Sequence, residues 1–210
     1  MAPLRTLWPS YLWSHDDKEW ADGLANGTPG VAIINPASGP GEAVDDALMA
    51  RCAELLAHRW LIVGYVASTY FHKPVADYLA ELARYPAFGY PIVGAFCDET
   101  PSLGGNLAYG RAVHGAARAL GRDGAKGLSF FNPGGGDLPL LADRLPGSVW
   151  VTYEGPASGY WPAPGSSSKR QAHLVYADDG TADARMARTQ VGWGYTTPDT
   201  LPNPWSSWKG

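Results

Sequence analysis

Short apolar runs rich in β-branched and aromatic residues recur along the 210-residue chain, each closed by turn-forming or polar residues. After "LRTLW" near the start come "VAIINP" from Val31, "LIVGYVAS" from Leu61, "IVGAFCDE" from Ile92 and "LSFFNPG" from Leu128. "SVWVTYEG" from Ser148, "AHLVYA" from Ala172 and "VGWGYTTP" from Val191 complete about eight strands. The runs are continuously apolar rather than alternating, the pattern of parallel strands buried on both faces. Helical stretches lie between several of them. "EAVDDALMARCAELLAHRW" places Val44, Leu48, Cys52, Leu55 and Leu56 on one face. "HKPVADYLAELARYP" has Pro74 near a helix start with Val75, Leu79 and Leu82 at helical spacing. "NLAYGRAVHGAARALGRDG" offers Asn106 as N-cap, then Leu107, Val113, Ala117 and Leu120, with Gly121 as a stop. Asp16 to Asn26 and Thr181 to Gln190 read as further helices.

This repeated strand–helix order, without a linker long enough to separate domains, predicts one compact (β/α)8 barrel over residues 1–210. Its later helices are expected to be short, because "GPASGYWPAPGSSSKR" has loop character. An open doubly wound sheet is the rival arrangement. A 45% hydrophobic and 17% charged composition excludes disorder, and a net charge of −4 without a basic stretch argues against a nucleic-acid partner. No apolar run is long enough for a membrane span. "MAPLRTLWPSYLW" lacks a leader core, so the chain is expected to stay in the cytoplasm or to begin after a removed leader. Cys52 and Cys97 are expected as buried thiols rather than a disulfide framework. The scattered His15, His58, His72, His114 and His173 suggest no metal, and no cofactor is expected. With 9 Trp and 11 Tyr, the aromatic load suits both core packing and stacking on sugar rings.

In parallel α/β folds the working groups gather at the carboxyl ends of strands. Asn35, Ser68, Thr69, Tyr70, Asp98, Glu99, Asn132 and Glu154 all fall there. Asn35 and Asn132 precede proline and also fit plain turn roles, while Asp98 also fits a helix cap. The acids sit on the fourth and sixth runs. Alternate strands of a barrel feed the same side-chain layer, so two carboxyl groups there can flank one bond. Glycosidases place such a pair about 5 to 5.5 Å apart for retention and roughly 6.5 to 9.5 Å apart for inversion. Adjacent Asp98 and Glu99 cannot both point inward unless the strand ends between them. "NPGGGD" at Asn132 to Asp137 raises a phosphate-binding alternative, but it lacks a lysine and no helix clearly follows.

The motifs "VAIINPASGPG", "GYVASTY", "GAFCDE", "FNPG", "VTYEG" and "GYTTPDTLPNPWSSW", in this order, resemble the spherulation-specific family 4 proteins, the spherulin-like group that includes glycoside hydrolase family 135. The resemblance implies a (β/α)8 barrel. In characterised fungal members it implies endo-acting hydrolysis of α-1,4-linked N-acetylgalactosamine in galactosaminogalactan. The functional acids of the family match Asp98, Glu99 and Glu154. Asp98 is assigned as nucleophile, or as base if the enzyme inverts; Glu154 is the proton donor and Glu99 the tuning or substrate-gripping neighbour. Asn35, Tyr65, Tyr70, Asn132 and Trp161 are expected to bind substrate, and Tyr160 with Trp161 forms either a sugar platform or a surface loop. The expected partner is a polysaccharide or oligosaccharide, with the chain acting as a monomer. A non-catalytic carbohydrate-binding protein on the same scaffold is the alternative.

Overall fold

The computed structural model describes residues 4–11, 17–26, 28–102, 104–162, 168–201 and 204–205. Strands β1 (Arg5–Pro9), β2 (Val31–Ile34), β3 (Leu61–Ala67), β4 (Gly94–Asp98), β5 (Leu128–Phe131), β6 (Val149–Pro156), β7 (Gln171–Tyr176) and β8 (Trp193–Thr196) close into a barrel in chain order. Every neighbouring pair is parallel, and closure is made by Arg5 against Trp193 and Thr6 against Gly194. Helices α1 (Asp17–Asn26), α2 (Asp46–Ala57), α3 (Val75–Ala87), α4 (Leu107–Ala119), α5 (Leu140–Asp143) and α6 (Ala182–Thr189) lie between strands. The chain is therefore a (β/α)8 barrel whose later crossovers are abbreviated: α5 is a single turn, and the described part of the β6–β7 connection carries only a 3-10 turn at Ala157–Gly159. Among the described residues no helix is long and apolar enough to cross a membrane.

Burial of the strands on both faces explains their unbroken apolar runs. On β4, Phe96 points into the barrel and stacks on Tyr65 of β3, while Cys97 points outward, where its thiol meets the Tyr78 phenol of α3. Both cysteines are buried and free, and burial pushes each thiol up to about 12. Asn106 caps α4 through the amides of Ala108 and Tyr109. The α2 face is narrower than the periodicity predicts. Leu48, Cys52 and Leu55 are buried, but Val44 precedes the helix and, like Leu56, is exposed. Helix α2 needs only the stripe that meets the barrel wall.

Most of the described tryptophans serve the core. Trp8, Trp20 and Trp60 form a cluster between β1, α1 and the entry to β3, with ring centroids 5.2 and 5.3 Å apart. Trp150 stacks on Phe131 at 4.5 Å beneath α4, and Trp193 meets Phe130 inside the barrel. Trp161, by contrast, is exposed.

Candidate active site

The carboxyl ends of the strands converge on a pit of 120 Å³ floored by Pro9 of β1, Ile33 of β2, Phe96 of β4 and Leu174 of β7. Its polar wall holds Asn35, Tyr65, Asp98, Asn132 and Glu154, with Tyr11 and Trp205 completing the rim. Strict alternation from Phe96 carries Asp98 inward as the last residue of β4. The strand ends there: Glu99 turns to φ +50°, a left-handed conformation that an L residue adopts at a cost. Its carbonyl accepts hydrogen bonds from the Tyr70 amide and the Ser68 hydroxyl. Thr69, Tyr70 and Phe71 are likewise left-handed, so two strained strand ends clasp each other beside the pit. Strain of this kind concentrates where a site must hold side chains in one geometry.

Glu154 reaches the pit by a different device. Trp150 faces the helices, so plain alternation along β6 would turn Tyr153 inward and Glu154 outward. The pairing with β7 instead slips between Val151 and Tyr153, leaving Thr152 as an extra residue. This bulge inverts the phase. Tyr153 now packs outward on Tyr160 and His173, and Glu154 lies beside inward-facing Leu174. Thr152 is held on both sides, its carbonyl accepting from the Gly136 amide and its hydroxyl from the Gln171 side chain.

Between the acids stands Asn132, directly after β5. Its Nδ2 donates to Asp98 Oδ1 at 2.8 Å and to Glu154 Oε2 at 2.7 Å. Those two carboxylate oxygens are therefore no farther apart than the bonds laid end to end, about 5.5 Å. The other Asp98 oxygen accepts from the Tyr65 phenol at 2.7 Å. Burial raises the Glu154 pKa, the Asn132 hydrogen bond partly opposes it, and repulsion from Asp98 adds to the rise. Burial, then the Asp98 charge, likewise pushes the phenols of Tyr65 and Tyr11 up. Tyr85 of α3 supports this wall from behind: its hydroxyl donates to the Tyr65 carbonyl at 2.9 Å, and its ring lies where a Cβ on Gly64 would stand 2.7 Å away.

Of the expected residues, Asp98, Glu154, Asn35, Tyr65 and Asn132 meet in one pit, whereas Glu99 and Tyr70 are not in its lining; they lie just past the ends of β4 and β3, joined by a backbone hydrogen bond. Both asparagines also make turns, Asn35 Oδ1 accepting from the Gly39 amide and Asn132 Oδ1 from Gly134. Trp161 is not brought there. It lines a separate cleft against α6, with the Arg185 guanidinium 4.0 Å from its ring centre. Tyr160 is buried and hydrogen-bonded to His173, so the two do not form a platform. In the glycine loop the Gly134 and Gly136 amides are already bound within the protein, which removes donors from a phosphate cradle. Two rim residues escaped the sequence reading: Tyr11 and Trp205. Tyr11 lies just past the end of β1, a position the strand-end rule covers.

A closed parallel barrel whose strand ends gather acids around a shared amide is the layout of a protein that works on a ligand at its carboxyl-end mouth. The chain belongs to spherulation-specific family 4, whose profile matches residues 5–210. Spherulin-4 of Physarum polycephalum is 33% identical over 113 residues, a stretch covering 51% of this chain and 33% of that relative's own length. The crystal structure of Aspergillus clavatus Sph3 in complex with GalNAc shares the fold with a TM-score of 0.76 at 18% identity, over 99% of this chain and 93% of that one.

Proposed function

We propose that the protein is a glycoside hydrolase that cleaves a polysaccharide containing α-1,4-linked galactosamine or N-acetylgalactosamine, internally and with retention of configuration. The observation that carries this reading is the single Asn132 amide bridging Asp98 and Glu154, because the resulting separation suits a double displacement rather than direct attack by water. Asp98 attacks the anomeric carbon while Glu154 gives its proton to the departing glycosidic oxygen. Water, deprotonated by Glu154, then attacks the same carbon and frees Asp98. The raised Glu154 pKa suits the first of these roles, since a proton donor must still be protonated when substrate arrives. Tyr65 and Asn132 hold the attacking carboxylate in place. Glu99, next to Asp98 and fixed through its backbone carbonyl by the Tyr70 amide and the Ser68 hydroxyl, accepts hydrogen bonds from sugar hydroxyls. The sugar class rests on the likeness to Sph3, solved with GalNAc, and on the family 135 motifs.

The wild-type protein should release reducing ends from an α-1,4-linked N-acetylgalactosamine polymer, with the first product retaining its anomeric configuration by NMR. Asp98→Asn and Glu154→Gln should each lower that rate by about 10²- to 10⁴-fold. Full activity in both variants would sink the catalytic assignment. Polymer binding without reducing-end release across a panel of microbial polysaccharides would establish a binding protein instead.

A further inference from the structure

A second cavity of 430 Å³ adjoins the pit, and the two share Tyr11, Glu154 and Trp205. The outer cavity is otherwise lined by Gly134, Tyr176, Leu201 and Pro204; Asp98 is absent from its walls. Position around the barrel explains the division. Asp98 ends β4, whereas Tyr176 ends β7 and Trp205 follows β8, the strand diametrically opposite β4 in the closed ring. Crossing the mouth from β4 toward β8, one meets Asp98, then Asn132 and Glu154, then the outer cavity.

We infer that this outer cavity is the binding site for the sugar on the leaving-group side of the scissile bond. The inference rests on the hydrolase reading above. A proton donor must touch the departing oxygen, and the nucleophile must approach from the far side of the anomeric carbon. Glu154 is common to both cavities and Asp98 belongs to the inner one alone, which places the leaving group on the Tyr176 side. The inner pit, at 120 Å³, receives the reacting edge of one ring, while the outer cavity falls within the roughly 300–1,000 Å³ usual for a whole small ligand. Its chemistry suits a pyranose. Tyr176 meets Trp205 edge-on at 6.1 Å, Trp205 leans on Tyr195 at 6.2 Å, and Leu201 stays 65% exposed. These surfaces match the apolar C–H face of a sugar ring, and among the described residues Glu154 is the only carboxylate in the lining.

The test compares two substrates that share their non-reducing sugars: an α-1,4-linked N-acetylgalactosamine hexasaccharide and the α-fluoride of the trisaccharide. Fluoride leaves without a sugar in the outer cavity. Tyr176→Ala should lower kcat/KM on the hexasaccharide by about tenfold or more and leave the fluoride within about twofold, while Tyr176→Phe keeps both within about twofold. Leu201→Gln, at an exposed position that the fold does not depend on, should show the same split to a smaller degree. Equal losses on both substrates, or no loss on the hexasaccharide, would overturn the subsite while the hydrolase reading stands. A wild-type protein that turns over neither substrate overturns both.

Discussion

Asn132 donates to two carboxylates at once and receives the Gly134 amide on its oxygen, so one side chain ties together β4, β5 and β6. In the proposed hydrolase it would act through the acids it positions. Replacing it with alanine removes the hydrogen bond that favours ionised Glu154 while leaving the burial that disfavours it. The Glu154 pKa should then rise further. Because the proton donor works in its protonated form, the alkaline limb of the kcat/KM profile for Asn132→Ala should move to higher pH while the plateau falls; a limb moving downward would refute the bridge. Glu154 also has a stability signature. Its folded pKa lies above the unfolded value near about 4.3, so the native state binds the proton more tightly and stability declines as pH rises through the folded pKa. Glu154→Gln should therefore melt higher than wild type at neutral pH, and the difference should vanish below about pH 4, where both states are protonated. Paired thermal melts at the two pH values check this.

At the scale of elements, the bulge in β6 fits an extra residue into the register in which Glu154 meets β7. Thr152 is pinned between the glycine loop and β7 and shifts the phase of the strand at the point where a carboxylate must turn inward. Deleting Thr152 gives a regular strand in which Tyr153 still pairs outward with His173 and Glu154 inward beside Leu174, so what is lost is the tie to the Gly136 amide and the Gln171 side chain. Hydrolysis by the deletion variant should therefore stay well above that of Glu154→Gln, while the melting temperature falls with the lost hydrogen bonds. A drop to the level of Glu154→Gln would show that the bulge itself, and not the register alone, aims the carboxylate. The strand and helix order was legible because each run and each amphipathic stripe is a local pattern, as Asn106 and the Leu48, Cys52 and Leu55 stripe illustrate. Tyr160 and Trp161 were not legible in the same way. Adjacent in sequence, one is sealed against His173 and the other lies open on α6, a split set by what packs above them.

For the molecule as a whole, closure of the ring gathers residues of β1, β2, β3, β4, β6 and β7, with Asn132 directly after β5, around one pit. A bound oligosaccharide therefore bridges distant parts of the chain and should stabilise the fold globally. In Glu154→Gln, which on the proposed hydrolase reading should bind with turnover suppressed, saturation at 100 times the Kd should add about 2.7 kcal/mol by linkage, seen as a single shifted thermal transition. A shift confined to local probes would argue for a ligand that touches one loop only. The amino-acid sequence alone determined the succession of strands and helices and the strand ends that carry Asp98, Asn132 and Glu154, because periodicity and turn chemistry act between residues a few positions apart. Tertiary structure alone decided the inward turn of Glu154, the amide bridge across the acids and the recruitment of Tyr11 and Trp205. Those depend on cross-strand register and on ring closure, which join residues far apart in the chain and leave no periodic trace in it.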